Sequence, residues 1–252
     1  MRRVLAAVLG AAAITVGVGA PTAGRPAPEG QSGAYWAGAD LTATGYTGTV
    51  ATLAVPAVAA GSAWASQVNM WVGVYGATGV ALIQTGVSVA PQAAGGDSPW
   101  WTTCPYGRQP GRGCVPQWIG APVRPGDRVR TAVISTGTCE WRLSLVDARQ
   151  RWWWATRVRY CGPVSRTVEW VAEGWQPQIP WPDFRTARFT NIWLERPDRR
   201  WVPARLVPAD ALWSNWVQTV AQERAGTATV CAAGAPSGRT VMIVWHNACG
   251  GA

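Results

Sequence analysis

Hydrophobic and polar residues alternate along most of the chain beyond residue 45, and Gly- and Pro-rich turns interrupt the alternation. Successive side chains of a β-strand point to opposite faces of a sheet, so a two-residue period predicts strands. Helical periodicity is absent except for one candidate turn at 209–213. The predicted strands are 46–56, 66–75, 79–90, 128–136, 140–147, 152–159, 167–173, 187–194, 226–232 and 240–245.

Three of these strands combine one apolar face with one polar and aromatic face. In segment 79–90, Gln84 projects away from the face that Ile83 and Val87 would bury. Many strands separated by turns predict an all-β antiparallel sandwich or barrel, and a curved outer face would gather polar groups into a groove. The other two strands contribute the alternating residues Asn69, Trp71, Tyr75, Glu169 and Glu173.

The N-terminus has the pattern of a secretory signal. Arg2 and Arg3 precede an apolar run at 4–18, which ends in small residues at Ala20. A membrane anchor is the alternative, but the run is short and rich in Ala and Gly for a span. We therefore expect a cleaved signal peptide at 1–20, a flexible lead-in at 21–33 and one domain at 34–250. The mature protein is expected to be secreted and extracellular, without a membrane span.

The chain carries 22 Lys and Arg against 13 Asp and Glu, for a formal net charge of +9. All the basic residues of these two types are Arg, and they are scattered along the domain with no run longer than Arg199-Arg200. Scattered charges predict a solvated surface suited to anionic surroundings, and they do not favour a nucleic-acid partner.

Six cysteines follow the signal, and an even number in an exported chain predicts disulfides. With no Cys-x-x-Cys pair and one histidine, His246, the sequence predicts no zinc site, no other metal and no cofactor. The single histidine also leaves little room for a Ser–His–Asp site. We expect neighbouring cysteines to pair, as Cys104–Cys114, Cys139–Cys161 and Cys231–Cys249.

Two glutamates, Glu169 and Glu173, lie four apart on one face of a predicted strand. Strand rise separates their Cα atoms by roughly 13 Å, which is too long for a glycosidase carboxyl pair. One carboxyl with an amide partner is a different arrangement. A glutamate can activate water and later protonate a leaving amine, and a glutamine amide can donate to an oxyanion. Glu169 and Gln84 are the candidates.

Several segments, taken in order, resemble the eqolisins, which are glutamic peptidases, and suggest a divergent bacterial member. The resemblance covers about residues 33–245. Its motifs are short, but their order and spacing are specific. They are YWAGA at 35–39, YTGTVATLAVP at 46–56, WVGVYG at 71–76, IQTGVS at 83–88, PGDRVRTAV at 125–133, VEWVAEG at 168–174 and FRTARFTN at 184–191.

The resemblance implies a concanavalin-like jelly-roll sandwich and a cofactor-free endopeptidase that cleaves polypeptides at acidic pH. We expect the protein to be a monomer. In that reading Glu169 is the general base and acid, and Gln84 is the oxyanion-side amide. Water attacks the scissile bond directly, without an acyl-enzyme. Glu173 becomes a strand-end charge. The residues expected to line the substrate groove are Trp36, Trp71, Tyr75, Ser88 and Trp101.

Three acids of the family pattern are replaced, and Tyr75, Ser88 and Thr102 stand in their places. Like charges raise the pKa of a carboxyl, so these replacements are expected to change the pH optimum or the activity itself. The alternative function is a non-catalytic concanavalin-like sandwich that binds glycan or peptide in the same groove. Retention of both Gln84 and Glu169 favours catalysis.

Overall fold

The chain forms two antiparallel β-sheets in a computed structural model. The described residues are 36–42, 46–59, 67–76, 81–91, 96–105, 114–161, 165–174, 182, 184, 186–204, 212–217, 229–237 and 240–246. The seven-stranded sheet has the order β13-β1-β10-β3-β4-β5-β6. Its strands are β1 Trp36–Thr42, β3 Val68–Gly76, β4 Ala81–Val89, β5 Ser98–Pro105, β6 Gln117–Trp118, β10 Ser165–Gly174 and β13 Leu212–Val217.

The eight-stranded sheet has the order β14-β15-β11-β2-β7-β8-β9, and β12 pairs with β11 beside this path. The predicted all-β antiparallel sandwich is therefore confirmed. The strands of this sheet are β2 Gly48–Ala54, β7 Arg128–Gly137, β8 Glu140–Asp147, β9 Trp152–Arg159, β11 Thr186–Glu195, β12 Trp201–Pro203, β14 Thr229–Ser237 and β15 Thr240–His246.

The two sheets pack through the apolar faces that the alternation predicts. Burial of these side chains contributes on the order of 25 cal/mol per Å² of apolar surface removed from water. Polar links between the sheets include the Thr131 hydroxyl, which donates to the Thr85 carbonyl at 3.2 Å, and the Tyr160 hydroxyl, which donates to the Cys104 carbonyl at 2.8 Å. Large residues that meet in the core include Val72, Ile83 and Trp170 from one sheet and Leu53, Leu143 and Phe189 from the other.

Periodicity misses short strands and strands of irregular composition. The ten predicted strands all coincide with strands of the structure, whereas β1, β5, β6, β12 and β13 were not predicted. The turn expected at 209–213 is wrong where it can be compared, because Leu212 begins β13. Trp213 and Trp216 lie three apart, a spacing that imitates the helical period although the segment is a strand.

Two of the three expected disulfides are present, Cys104–Cys114 and Cys139–Cys161. The third pair involves Cys249, which lies outside the described residues. Within the part of the chain that the structure describes, no helix is long and apolar enough to cross a membrane.

Buried carboxyls organise one end of the eight-stranded sheet. Asp127 accepts hydrogen bonds from the Arg124 backbone N–H at 2.8 Å and from Gln150 Nε2 at 3.0 Å. Arg149 forms an ion pair with Asp127 at 3.3 Å. Asp147 accepts the backbone N–H groups of Arg149 and Gln150. Burial raises the pKa of Asp147, and the neighbouring Asp127 adds to the rise. These bonds connect the turn at residues 124–127 to the turn at residues 147–150.

Asp97 lies just before β5, and its Oδ1 accepts the Ala90 backbone N–H at 3.3 Å. Burial raises the pKa of Asp97 to about 7, and Asp127 adds to the rise, against the lowering effect of the Ala90 hydrogen bond. The folded chain therefore holds a proton on Asp97 over a pH range in which the unfolded chain has released it. Folding stability contributed by this group falls as pH rises from about 4 to about 7.

Asp97→Asn should therefore stabilise the protein at neutral pH and leave it unchanged in acid. We expect the free energy of unfolding to rise by about 2 kcal/mol at pH 8 and to match wild type at pH 3.5. Urea denaturation at both pH values measures this, with the exposed Asp198→Asn as the matched control. An equal change in stability at both pH values would contradict the assigned cause.

Candidate active site

Backbone register places the two predicted catalytic residues in one row of the seven-stranded sheet. Glu169 pairs with Gly73, Gly73 pairs with Gln84, and Gln84 pairs with Thr102. Residues directly opposite each other in antiparallel strands share a face. With strands about 4.8 Å apart, the Cα atoms of Glu169 and Gln84 are separated by roughly 10 Å. Both side chains thus lie on one face with a glycine between them.

That face is the outer one, turned away from the eight-stranded sheet. The residues that alternate with Glu169 and Gln84, such as Trp170 and Ile83, belong to the core between the sheets. The outer face is nevertheless largely closed, because Gln84 is 3% exposed and Glu169 is 5% exposed. A second apolar cluster surrounds the two polar groups, and its members are Trp71, Leu82, Trp100, Cys104 and Val171.

Trp71 occupies the space above Gly73, between the two candidate residues. A Cβ at position 73 would stand 2.7 Å from Cζ3 of Trp71 and 3.1 Å from Cδ1 of Leu82. The indole is anchored at its other end, where Nε1 donates to Glu173 Oε2 at 3.0 Å. Glu173 therefore positions Trp71, which is a structural role for the second glutamate. A residue larger than glycine at position 73 would displace the ring.

The amide of Gln84 has few partners of its own. Nε2 lies 3.7 Å from Cys104 Sγ, and Oε1 has no hydrogen-bond partner among the described residues. The neighbouring Thr102 hydroxyl donates to the Val115 carbonyl at 2.9 Å, so the chain after Cys114 covers this part of the sheet. An unsatisfied buried polar group costs about 1–3 kcal/mol, and a ligand or a catalytic step that uses the group is one explanation for its presence.

The predicted groove residues divide between the two faces. Trp71 and Ser88 lie on the outer face and are buried. The positions of Trp36, opposite Glu173, and Tyr75, opposite Thr167, belong to the same face by register.

The assignment of Trp101 to the groove is wrong. Trp101 pairs with Thr85, on the inner face, and its ring stacks on Trp154 with centroids 5.9 Å apart. Trp100, opposite Gly86, takes the outer position. A Trp-Trp doublet gives one ring to each face of a strand, and the sequence alone did not fix which ring faces outward because β5 was not predicted.

One acidic residue near the site was missed. Asp40 on β1 is the register partner of Glu169, and Ser214 on β13 lies beyond Asp40. The available signal was the alternation of Trp36, Gly38 and Asp40 along β1, one residue beyond the YWAGA motif. The described residues contain no group of three His, Cys, Asp or Glu side chains that could hold a metal ion.

Gly73→Ala should disturb the site and reduce stability, because the added methyl collides with the Trp71 ring. We expect a loss of about 1–3 kcal/mol in the free energy of unfolding. Gly120→Ala is the matched control, since nothing lies within 4 Å of the added Cβ there. Thermal and urea unfolding of both variants measure the difference. Equal stability of the two variants would show that the ring does not pack over Gly73.

Known proteins resemble this chain in sequence pattern and in fold. The family model of the Peptidase A4 family matches residues 34–242. A search of curated protein sequences finds no significant match. Two similar solved structures each align with 84% of this chain, and the alignment includes 98% of the residues of each of those structures. One is scytalido-glutamic peptidase with a peptide-based transition-state analogue, at 18% identity and a TM-score of 0.63. The other is SCP-B, an eqolisin in complex with the tripeptide Ala-Ile-His, at 17% identity and a TM-score of 0.60.

A third similar structure is aspergilloglutamic peptidase from Aspergillus niger, at 18% identity and a TM-score of 0.50. It covers 71% of this chain and is itself matched over 99% of its length. At these identities the structural likenesses show a shared fold. The family model spans most of the sequence, and the chain belongs to the Peptidase A4 family, the eqolisin glutamic peptidases.

Proposed function

We propose that the protein is an exported endopeptidase that hydrolyses peptide bonds at acidic pH with a Glu169 and Gln84 dyad. The observation that carries this proposal is the row in which Gly73 separates Glu169 from Gln84 on one sheet face. Membership in the Peptidase A4 family supplies the reaction class. Two of the similar structures hold a peptide-based transition-state analogue and a tripeptide, which supports a peptide substrate.

In the proposed reaction, the Glu169 carboxylate takes a proton from a water molecule whose oxygen attacks the scissile carbonyl carbon. The carbonyl π electrons move to oxygen, and the Gln84 Nε2–H group donates to the resulting oxyanion. The tetrahedral intermediate then collapses. Glu169 returns its proton to the amide nitrogen as the C–N bond breaks, which releases an amine and a carboxylic acid without an acyl-enzyme.

Substrate entry requires the outer face to open. The ring of Trp71 and the side chain of Leu82 occupy the space above Gly73 where the scissile group would lie. Their displacement would leave an apolar wall around the dyad, and low polarity strengthens the hydrogen bond from Gln84 to an oxyanion. Trp71 and Glu173 are therefore part of the substrate-binding surface in this proposal.

Two further observations support work in an acidic, extracytoplasmic setting. Burial raises the pKa of Asp97 and of Asp147, so in acid these groups hold protons without a desolvation penalty. The Cys104–Cys114 and Cys139–Cys161 disulfides suit an oxidising compartment. The secretory signal expected at 1–20 agrees with both.

Substitution of either member of the dyad should abolish proteolysis. We expect wild type to cleave an acid-denatured protein in a scan from about pH 2 to pH 7, and Glu169→Gln and Gln84→Ala to lose at least about a hundredfold in kcat/KM. Asp198→Asn, an exposed carboxyl in the turn before β12, is the control and should retain wild-type activity.

Undiminished cleavage by Glu169→Gln would reject the mechanism. If wild type binds peptide without cleaving it at any pH, the result would instead support the non-catalytic binding function. The presence of Tyr75, Ser88 and Thr102 where the family pattern has acids favours that alternative.

Asp40 adds a second carboxyl to the proposed mechanism. Its Cα pairs with that of Glu169 across β1 and β10. Among the described residues, the other titratable positions that register places on this face near Glu169 are Glu173 on β10 and Tyr75 on β3, and Ser214 of β13 is uncharged. A carboxylate at position 40 disfavours a second negative charge on the same face. We infer that Asp40 sets the pH range in which Glu169 acts as a base.

Asp40→Asn should move the acidic limb of the kcat/KM profile to lower pH by about 0.5–1 unit, because removal of a like charge lets Glu169 ionise more easily. The plateau rate should stay within about threefold of wild type. A full pH profile of the two proteins measures the shift, with Asp198→Asn again as the control. An unshifted limb in an active enzyme would reject the role of Asp40 without affecting the dyad.

A further inference from the structure

The outer face of the eight-stranded sheet collects arginines that are distant in sequence. Register places Arg128 and Arg130 of β7 on the same face as Arg142 of β8, because Arg130 pairs with Val146 and Ile134 pairs with Arg142. The same reasoning extends across β9 and β11. The described part of this outer face contains six arginines, Arg128, Arg130, Arg142, Arg157, Arg159 and Arg188.

The positive charge of this face is not balanced within the described structure. Arg142 and Arg157 are direct cross-strand partners, and like charges in that position are destabilising. The described ion pairs include none of the six arginines. Of the acids on the face, Glu195 is 5% exposed and pairs with Arg199, and Glu140 lies at the strand end opposite Arg159. Two neighbouring arginines without an acidic partner, such as Arg142 and Arg157, are typical of an anion-binding surface.

Tryptophans frame a depression on the same face. Trp153 is 76% exposed and Trp201 is 38% exposed, although large aromatic side chains are usually buried. Together with Trp193 they line an open cavity of about 490 Å³ that also contacts Arg130 and Arg142. Its lining also includes smaller apolar side chains, among them Val50, Ala132 and Ala155. The depression thus combines flat apolar rings with forked cationic groups.

We propose that this arginine–tryptophan face binds an anionic polysaccharide. The C–H face of a sugar ring can lie on an exposed indole, and guanidinium groups bind carboxylates or sulfates with two parallel hydrogen bonds. An acidic peptide would use the arginines without needing three aromatic rings. Nucleic acid is the competing ligand, because its bases also stack on aromatic side chains. The expected secretory signal and the two disulfides favour glycans, which are anionic polymers of an extracytoplasmic environment.

This face lies on the opposite side of the sandwich from Glu169 and Gln84. Binding there does not cover the outer face of the seven-stranded sheet, so the protein could be held on an acidic polymer while other molecules reach that face. The inference therefore does not depend on peptidase activity, and Glu169→Gln should bind the polysaccharide as wild type does.

The test measures dissociation constants of the full mature chain for polygalacturonate, for its methyl-esterified neutral form, and for a poly(dT) oligonucleotide. We expect polygalacturonate to bind at least tenfold more tightly than the ester, and its affinity to fall as salt is raised. Arg142→Gln and Trp153→Ala should each weaken binding at least fivefold. Arg124→Gln removes the same charge from an exposed position outside this face and should change affinity less than twofold.

Three results would overturn the proposal. Equal losses in Arg142→Gln and Arg124→Gln would show attraction by net charge alone. Tighter binding of poly(dT) than of polygalacturonate would assign the face to nucleic acid. Absence of measurable polygalacturonate binding at low salt would reject an anionic polysaccharide as the ligand of this face. Because Arg142 and Trp153 are surface residues, unfolding temperatures close to wild type verify that each variant is folded.

Discussion

The pairing of β10, β3 and β4 is the constraint on which the candidate site depends. From Thr167 to Gly174, β10 pairs with β3 without a bulge, and β3 pairs with β4 in continuous register. A shift of one residue would turn Glu169 into the core between the sheets and move Trp170 to the outer face, which would place a carboxyl among apolar side chains and remove a fully buried indole from the core. The large apolar residues that fill the core therefore also fix the catalytic candidates on the outer face.

Glycine makes the close packing of this face possible. Gly73 leaves room for the Trp71 ring, and a Cβ at Gly86 would meet the backbone of β3 at 2.0 Å. The ring of Trp71 is then held from its polar end by Glu173. Two features that appear unrelated in the sequence, a Gly on one strand and a Glu on another, thus fix a single aromatic side chain.

Local alternation was enough to predict the long strands and the faces of Gln84 and Glu169. A strand with one buried face shows hydrophobic residues at every second position, and this period is visible in the sequence. It failed for β5, where Trp100 and Trp101 occupy opposite faces, and for β1 and β13, where short or aromatic segments lack a clear period.

The pairing of residues across strands could not be predicted from the sequence. The pairing of Asp40 with Glu169, and of Arg142 with Arg157, is set by register between strands and leaves no trace in local sequence. For the same reason, arginines that look scattered along the chain meet on one surface.

In the proposed function, the closed position of Trp71 couples peptide binding to a conformational equilibrium of the outer face. If the indole must leave the space above Gly73 before a peptide can enter, only the open fraction of molecules binds substrate, and the apparent affinity falls in proportion to that fraction. Part of the interaction energy of each substrate is then spent on opening. Long peptides with many contacts along the groove can supply it, and short ones cannot. Selectivity for substrate length would follow from one ring held by one carboxylate.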